Sequence, residues 1–247
     1  MAIASVGTLG SANSKTANQA SATLTTSSAL AAGNVGVLVV AVDNNQATDG
    51  DEGAVTGVTD SGGNTWTKGA EFTNGNGSIQ AGCVCSVWYS NSVNGVANGG
   101  TITAAFSNAT SRDASAMSAW EFSKAANSNL AVEGTPGTLA NDAADPGSLN
   151  VTTANIECLR FRGIAGETSA TGAITTTAGW TPITGDQTAG GASDTNIAVR
   201  GEFIISTGTG SASDPTLGPA DHASVYVAFK EVLNSIPNAL MLMGYGG

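Results

Sequence analysis

Short runs of alternating apolar and polar residues, each closed by a cluster of turn residues, recur along the 247-residue chain. Alternation with a period of two puts successive side chains on opposite faces of an extended strand, whereas a helix needs a period near 3.6. No stretch of convincing length carries the helical period. The clearest instance of the extended pattern is Ala54–Phe72, AVTGVTDSGGNTWTKGAEF. Val55, Val58 and Trp66 alternate with threonines around Asp60-Ser61-Gly62-Gly63-Asn64. Glycine supplies the positive φ of a tight reversal, and Asp and Asn bond back to nearby backbone. The stretch reads as a β-hairpin with Trp66 as a core anchor.

The same grammar predicts strands at Ile3–Gly10 and Ala22–Thr26, joined by the polar segment Ser11–Gln19. Val35–Val42 (VGVLVVAV) is apolar throughout, the pattern of a central strand buried on both faces. Ala81–Tyr89, Thr101–Phe106 and Ala114–Phe122 follow as strands. Lys124–Pro146 holds few large apolar residues and two proline turns, and reads as a long surface loop with at most one short strand. Further strands are expected at Leu149–Thr152, Ile156–Ala165, Thr171–Thr177, Trp180–Ile183, Asn196–Ser206 and Ala223–Val232. Regular spacing of this kind argues an all-β, jelly-roll-like β-sandwich of about eleven antiparallel strands, with little or no helix. One domain would span residues 1–234. Residues 235–247 (SIPNALMLMGYGG) break the pattern and read as an apolar C-terminal tail, a contact arm presenting Leu240, Met241, Leu242, Met243 and Tyr245 to a partner. Pro237 blocks a continuous helix or central strand there.

Composition narrows the function classes. Charged residues make up 11% of the chain, against about a quarter in an ordinary soluble domain, and Gly, Ser, Thr, Asn and Ala take their place. A mean hydropathy of +0.06 and recurring apolar strands argue against disorder. The net charge of −11 and the scattered lysines and arginines leave no basic stripe, so nucleic acid is not an expected partner. No window approaches the roughly 20 apolar residues of a membrane helix, and MAIASVGTLGSANSK lacks the basic and apolar regions of a secretory signal. An outside-type composition without an export signal fits a virion component, made in the host cytoplasm and exposed after lysis.

The chemistry-bearing residues are few. Cys83 and Cys85 lie two apart in a strand and Cys158 is distant, so the three read as buried small hydrophobes rather than a disulfide framework. A zinc site joining them to His222 lacks the usual CxxC spacing. His222, the only histidine, reads as a surface or strand-end residue, and no GxSxG elbow accompanies it. Glu71, Glu121, Glu157, Glu167 and Glu202 are too scattered to set the paired geometry of a glycosidase. No catalytic residue and no cofactor are therefore expected. Asp43, Asp49, Asp51 and Glu52 offer oxygen ligands in one glycine-containing loop, a weak calcium candidate whose spacing does not match an EF-hand. Asp142 and Asp145 are a poorer one. Trp66, Trp88, Trp120 and Trp180 could stack on sugars, but their strand contexts read as core.

With strands placed, the first half resembles a β-sandwich module of phage structural proteins and some bacterial surface proteins. The resemblance is carried by ATLTTSSALAAGNVGVLVVAV (Ala22–Val42), VTDSGGNTWT (Val58–Thr67), VWYS (Val87–Ser90), GGTITAAFS (Gly99–Ser107) and AWEFS (Ala119–Ser123). It covers roughly residues 3 to 123. Asn34 stands where an acidic residue is common in the module. The resemblance implies fold and setting and transfers no catalytic residue. The expectation is a non-enzymatic structural virion protein on the capsid exterior: a decoration (cement) protein of a tailed-phage head. Its partners would be the major capsid protein and copies of itself, with a trimer as the assembly the resemblance implies. The alternatives are a tail- or fibre-associated virion module and an exported bacterial carbohydrate-binding or adhesive β-sandwich.

Overall fold

The computed structural model describes residues 3–43, 48–50, 52–75, 82–92, 94–107, 112–141, 147–168, 174–191, 195–216 and 221–234. Its strands, in chain order, begin with β1 (Ala4–Ser14), β2 (Ser21–Thr25), β3 (Val35–Asp43), β4 (Val55–Asp60), β5 (Thr67–Thr73), β6 (Cys83–Asn91) and β7 (Thr101–Phe106). Then come β8 (Ser115–Ser123), β9 (Ser128–Asn141), β10 (Ile156–Gly166), β11 (Thr181–Pro182), β12 (Asp186–Gln187), β13 (Ala198–Gly208) and β14 (His222–Leu233). Every pairing is antiparallel. No α-helix occurs among the described residues. The protein is all-β, as its alternation requires.

The strands form three antiparallel sheets, consistent with an all-β sandwich. A five-stranded sheet of order β1-β8-β3-β6-β5 is the middle layer. A three-stranded sheet, β2-β7-β4, covers one of its faces, and the sheet β11-β13-β10-β14-β9, with β12 also paired to β13, covers the other. Alternation along β3 shows why. Val37, Val39 and Ala41 enter one core with Phe161, Val225, Val227 and Phe229. Leu38, Val40 and Val42 enter a second core with Trp66, Ile102, Ala104 and Phe106. All nine residues of β3 are buried. In β6, Cys83, Cys85 and Val87 face the first core, while Val84 and Trp88 face the second.

The expected hairpin at Ala54–Phe72 is an arch instead. β4 pairs with β7 in the three-stranded sheet, and β5 pairs with β6 in the middle sheet, so the DSGGN turn carries the chain from one layer to the next. Asp60 organises it. Its Oδ1 accepts the amides of Gly62 (2.9 Å) and Asn64 (3.1 Å), and its Oδ2 accepts Trp66 Nε1 (2.8 Å). Gly63 takes φ +73°, which the reversal needs. Trp66 is the core anchor expected, 7% exposed between the layers.

β9 corrects the reading of 124–146 as mostly loop. It is a 14-residue edge strand that pairs with β14 along most of its length. Its signal is diluted because the register slips between Tyr226 and Ala228, opposite Gly134, Thr135 and Pro136, so the alternation is interrupted in mid-strand. Proline is tolerated at such an edge bulge. Leu149–Thr152 forms only a single bridge, Leu149 to Ser213, and Trp180–Ile183 shrinks to β11. Ile174–Thr177 lies outside the strands, and residues 171–173 fall outside the described part.

The first core is closed by glycine as well as by apolar side chains. A Cβ on Gly163 of β10 would stand 2.9 Å from both Val39 Cγ1 and Val87 Cγ2. Gly163→Val should therefore lower unfolding free energy by about 1–3 kcal/mol through overpacking, read by denaturant unfolding. Asp60→Ala should cost about 1–3 kcal/mol by stranding the donors of the arch. A change below 0.5 kcal/mol (about the spread of neutral surface substitutions) would remove Asp60 from that role.

Candidate functional site

The buried carboxylates mostly fasten backbone. Glu71 on β5 accepts the amides of Gly53 (2.5 Å) and Ala54 (2.8 Å) on Oε1 and that of Val55 (3.2 Å) on Oε2, which ties the start of β4 to the middle sheet. Lys68 Nζ sits 3.2 Å from the same group. Glu121 on β8 accepts Ala31 N (2.9 Å) and Asn34 Nδ2 (2.6 Å). Glu202 on β13 accepts Thr177 N (2.7 Å), Thr177 Oγ1 (2.6 Å) and Ser213 Oγ (2.6 Å). Glu157 lies half-buried at the start of β10. These glutamates do not converge on a cleft.

The outer face of the β10 sheet is polar and covered. Arg160 donates to Ser206 O (2.6 Å), Thr153 Oγ1 (2.9 Å) and Gly208 O (2.7 Å). Arg162 donates to Gly147 O (2.9 Å), Ser213 O (2.7 Å) and Ser224 Oγ (2.9 Å). Tyr226 donates to Ser211 O (2.7 Å), and its ring meets Trp180 edge-on at 5.5 Å. Burial raises the Tyr226 phenol well above its ordinary range. Both guanidiniums and the phenol thus hold connecting segments down on the sheet. Sequence reasoning overlooked them because buried arginine is rare.

One acidic group has a different setting. At the end of the molecule where β3 and β10 finish and β6, β8 and β14 begin, Asp43, Glu167 and Asp221 come together with Cys83 and His222. Glu167 N donates to Asp221 O (2.8 Å), and Cys83 Sγ approaches Ala165 O at 3.4 Å. Asn74 Nδ2 donates to His222 O (3.1 Å), and Asp43 Oδ2 accepts the Asp113 amide (3.1 Å). Glu167 is 8% exposed, and its Oε1 has no hydrogen-bond partner. Burial, then the charges of Asp43 and Asp221, push its carboxyl up to about 9. Nearby Arg112 is buried, donates to Gln19 O (2.7 Å) and to Ser107 O, and has its guanidinium pulled down to about 10 by desolvation. The pattern that predicts this cluster is register rather than spacing, since Gly166 pairs with His222.

The expected site residues fare as follows. Of the calcium candidates, Asp43 is buried at the end of β3 while Asp49 and Glu52 are exposed, and Asp51 lies outside the described residues. Asp49 Oδ1 accepts the Gly75 amide (2.8 Å), so it caps a turn. Among the described residues no group of three His, Cys, Asp or Glu side chains is placed to hold a metal ion. Asp142 and Asp145 lie outside the described residues, as does the whole tail with Leu240, Met241, Leu242, Met243 and Tyr245. His222 does begin a strand but is wholly buried, a correction to its reading as a surface residue: its strand starts between β10 and β9. Trp66, Trp88 and Trp180 are buried, and Trp120 packs on Phe203 with Nε1 donating to Ser5 Oγ (2.8 Å). No helix of the described residues is long and apolar enough to cross a membrane.

Comparison with protein-family models, with curated proteins and with solved structures finds no match.

All three cysteines are free and buried. Burial pushes the Cys85 thiol up to about 12 and raises Cys83 and Cys158 as well. A thiolate-selective reagent at pH 8 should therefore label none of the three in the native protein and all three once it is unfolded. Rapid native labelling would contradict their inert, packed role.

Proposed function

We propose that this chain is a non-enzymatic structural protein of a virus particle, a decoration (cement) protein on the outside of a tailed-phage head. The observation that carries the reading is the placement of the chain ends. Ala4 pairs with Ser123, and Leu233 pairs with Ser128 across the short β8–β9 connection, so both ends of the described chain leave from one end of the molecule. Leu233 is 78% exposed and Val232 41% there, and the apolar segment Leu240–Tyr245 follows within a few residues. A body with its terminal segments at one end can be fixed by that end to a neighbour. The resemblance of residues 3 to 123 to phage structural modules supplies the setting.

In this reading the tail lies across the major capsid protein or a neighbouring copy and buries apolar area, which stabilises at about 25 cal/mol per Å². Many such contacts repeated over a shell raise the barrier to rupture. The outward face of the three-stranded sheet suits exposure to solvent. It presents Ser21, Thr23, Thr25, Thr56 and Thr59, and Thr23 and Thr103 share a hydrogen bond across β2 and β7 (3.0 Å).

The test is co-sedimentation with heads that lack the protein, using the full chain and a form ending at Asn234, after light scattering fixes the oligomeric state of each. Saturable binding by the full chain, weakened at least tenfold by the truncation, is the expected result. A well-folded full chain that ignores the heads would refute the reading.

A further inference from the structure

We propose that the acidic end of the sandwich is a proton-held clasp, in which the buried Glu167 carboxyl keeps its proton beside Asp43 and Asp221, so that the ends of β10 and β14 stay packed on the start of β6 until alkaline pH opens them. The inference stands on the arrangement of the groups and is independent of the capsid role.

Three strands meet at the clasp. Glu167 follows the last residue of β10, Asp221 precedes the first residue of β14, and Gly82 precedes the first of β6. The Glu167 amide is bonded to Asp221 O at 2.8 Å, so the two carboxyl groups leave the backbone side by side. Cys83 Sγ at the start of β6 reaches Ala165 O at 3.4 Å and Asp221 O at 3.7 Å, which joins the third strand to the pair. Burial and the negative charges beside it both favour the neutral form of the Glu167 carboxyl. The ionisable groups around Glu167 favour its keeping that proton. From β3 comes Asp43, from β6 Cys83, and from the start of β14 Asp221, all acidic. His222 stands beside Asp221 at the same strand start, wholly buried. Arg112 is the nearby cation, but its charge is felt at Asp43 and its guanidinium is occupied by Gln19 O and Ser107 O. No lysine or arginine is bonded to Glu167 among the described residues. Its Oε1 is sealed from water with no partner, so a full negative charge there would be uncompensated.

The sign of the pH effect follows. Below the ordinary Glu value of 4.5 the folded and unfolded chains both hold the proton, and the clasp contributes fully. As pH rises past 4.5 the unfolded chain releases its proton while the folded chain retains it up to about 9. Stability from this group therefore falls steadily across that window, opposite to the usual salt-bridged carboxylate, and is lost above it. Glu167→Gln places a neutral amide of the same shape where the protonated acid stands and removes the titration.

The experiment is thermal unfolding of the full chain between pH 5 and 9.5, wild type against Glu167→Gln. The wild-type Tm should fall by several degrees relative to the variant, with the two curves closest at pH 5. Parallel curves would overturn the clasp. If the variant fails to fold, carboxyl NMR of the wild-type chain labelled at glutamate decides. One glutamate resonance should titrate above pH 8, and titration of every glutamate in the ordinary carboxylate range would refute the proposal. Hydrogen exchange places the opening. Between pH 7 and 9.5 protection should drop at the Glu167 and Asn74 amides, but not at the Leu130 and Asn234 amides at the opposite end. A uniform loss would mean general loosening rather than a clasp.

Discussion

The structure depends on one sheet being dry on both faces. β3 sits at the centre of the middle sheet, between β8 and β6, and each of its alternate side-chain sets feeds a different core. A strand in that position can carry no polar side chain without a buried partner. The demand spreads to β6 and β8, where buried polar residues are bonded: Ser86 takes the Trp88 Nε1 bond at 2.8 Å, Ser118 donates to Thr184 O, and Glu121 accepts the Ala31 amide. The low charged content is the same constraint seen at the level of composition. In three stacked layers a large share of strand positions faces another sheet, which leaves few places for charge.

That constraint also sets the use of the charges that are buried. A stack of sheets makes its layers by arches and long connections, and these have amides and carbonyls without ladder partners. Glu71, Glu121 and Glu202 accept such amides, Arg162 donates to the carbonyls of Gly147 and Ser213, and Arg160 reaches Thr153 Oγ1 as well as the end of β13. Paired in this way, a buried charge gains several charge-assisted hydrogen bonds that offset its lost hydration. The scattered glutamates of the sequence are thus the fastenings of its turns. Their spacing carries no pattern because each answers to a local gap in the backbone.

Strand existence was legible and layer membership was not. Val35–Val42 could be read as doubly buried because its apolar run has no alternation to spoil, and Thr101–Phe106 matched to the residue. The DSGGN turn could not be assigned as an arch, because turn chemistry reports a local reversal and is silent on which partners the flanking strands find. Asp60, Gly63 and Trp66 would look the same in either. β9 was hidden by its own bulge. The clasp residues were invisible for a related reason: Glu167 and Asp221 lie 54 positions apart and become neighbours only when the β10–β14 register sets Gly166 against His222. The tail, an apolar segment after the last strand, lies outside the described residues.

Antiparallel topology then separates two kinds of end. At one, β8 passes to β9 and both ends of the described chain lie, with Leu233 and Val232 exposed and Asn91 and Leu130 bonding reciprocally at 3.0 and 2.7 Å to close the layers. At the other, strand ends bring three carboxyl groups against one another. Carboxylates stand at both ends, with Glu121 and Glu231 at the first, so what sets the first apart is the exposed apolar surface of Leu233 and Val232. A contact by the terminal segments would leave the acidic end facing away from the partner surface, where it is free to follow the pH of the medium.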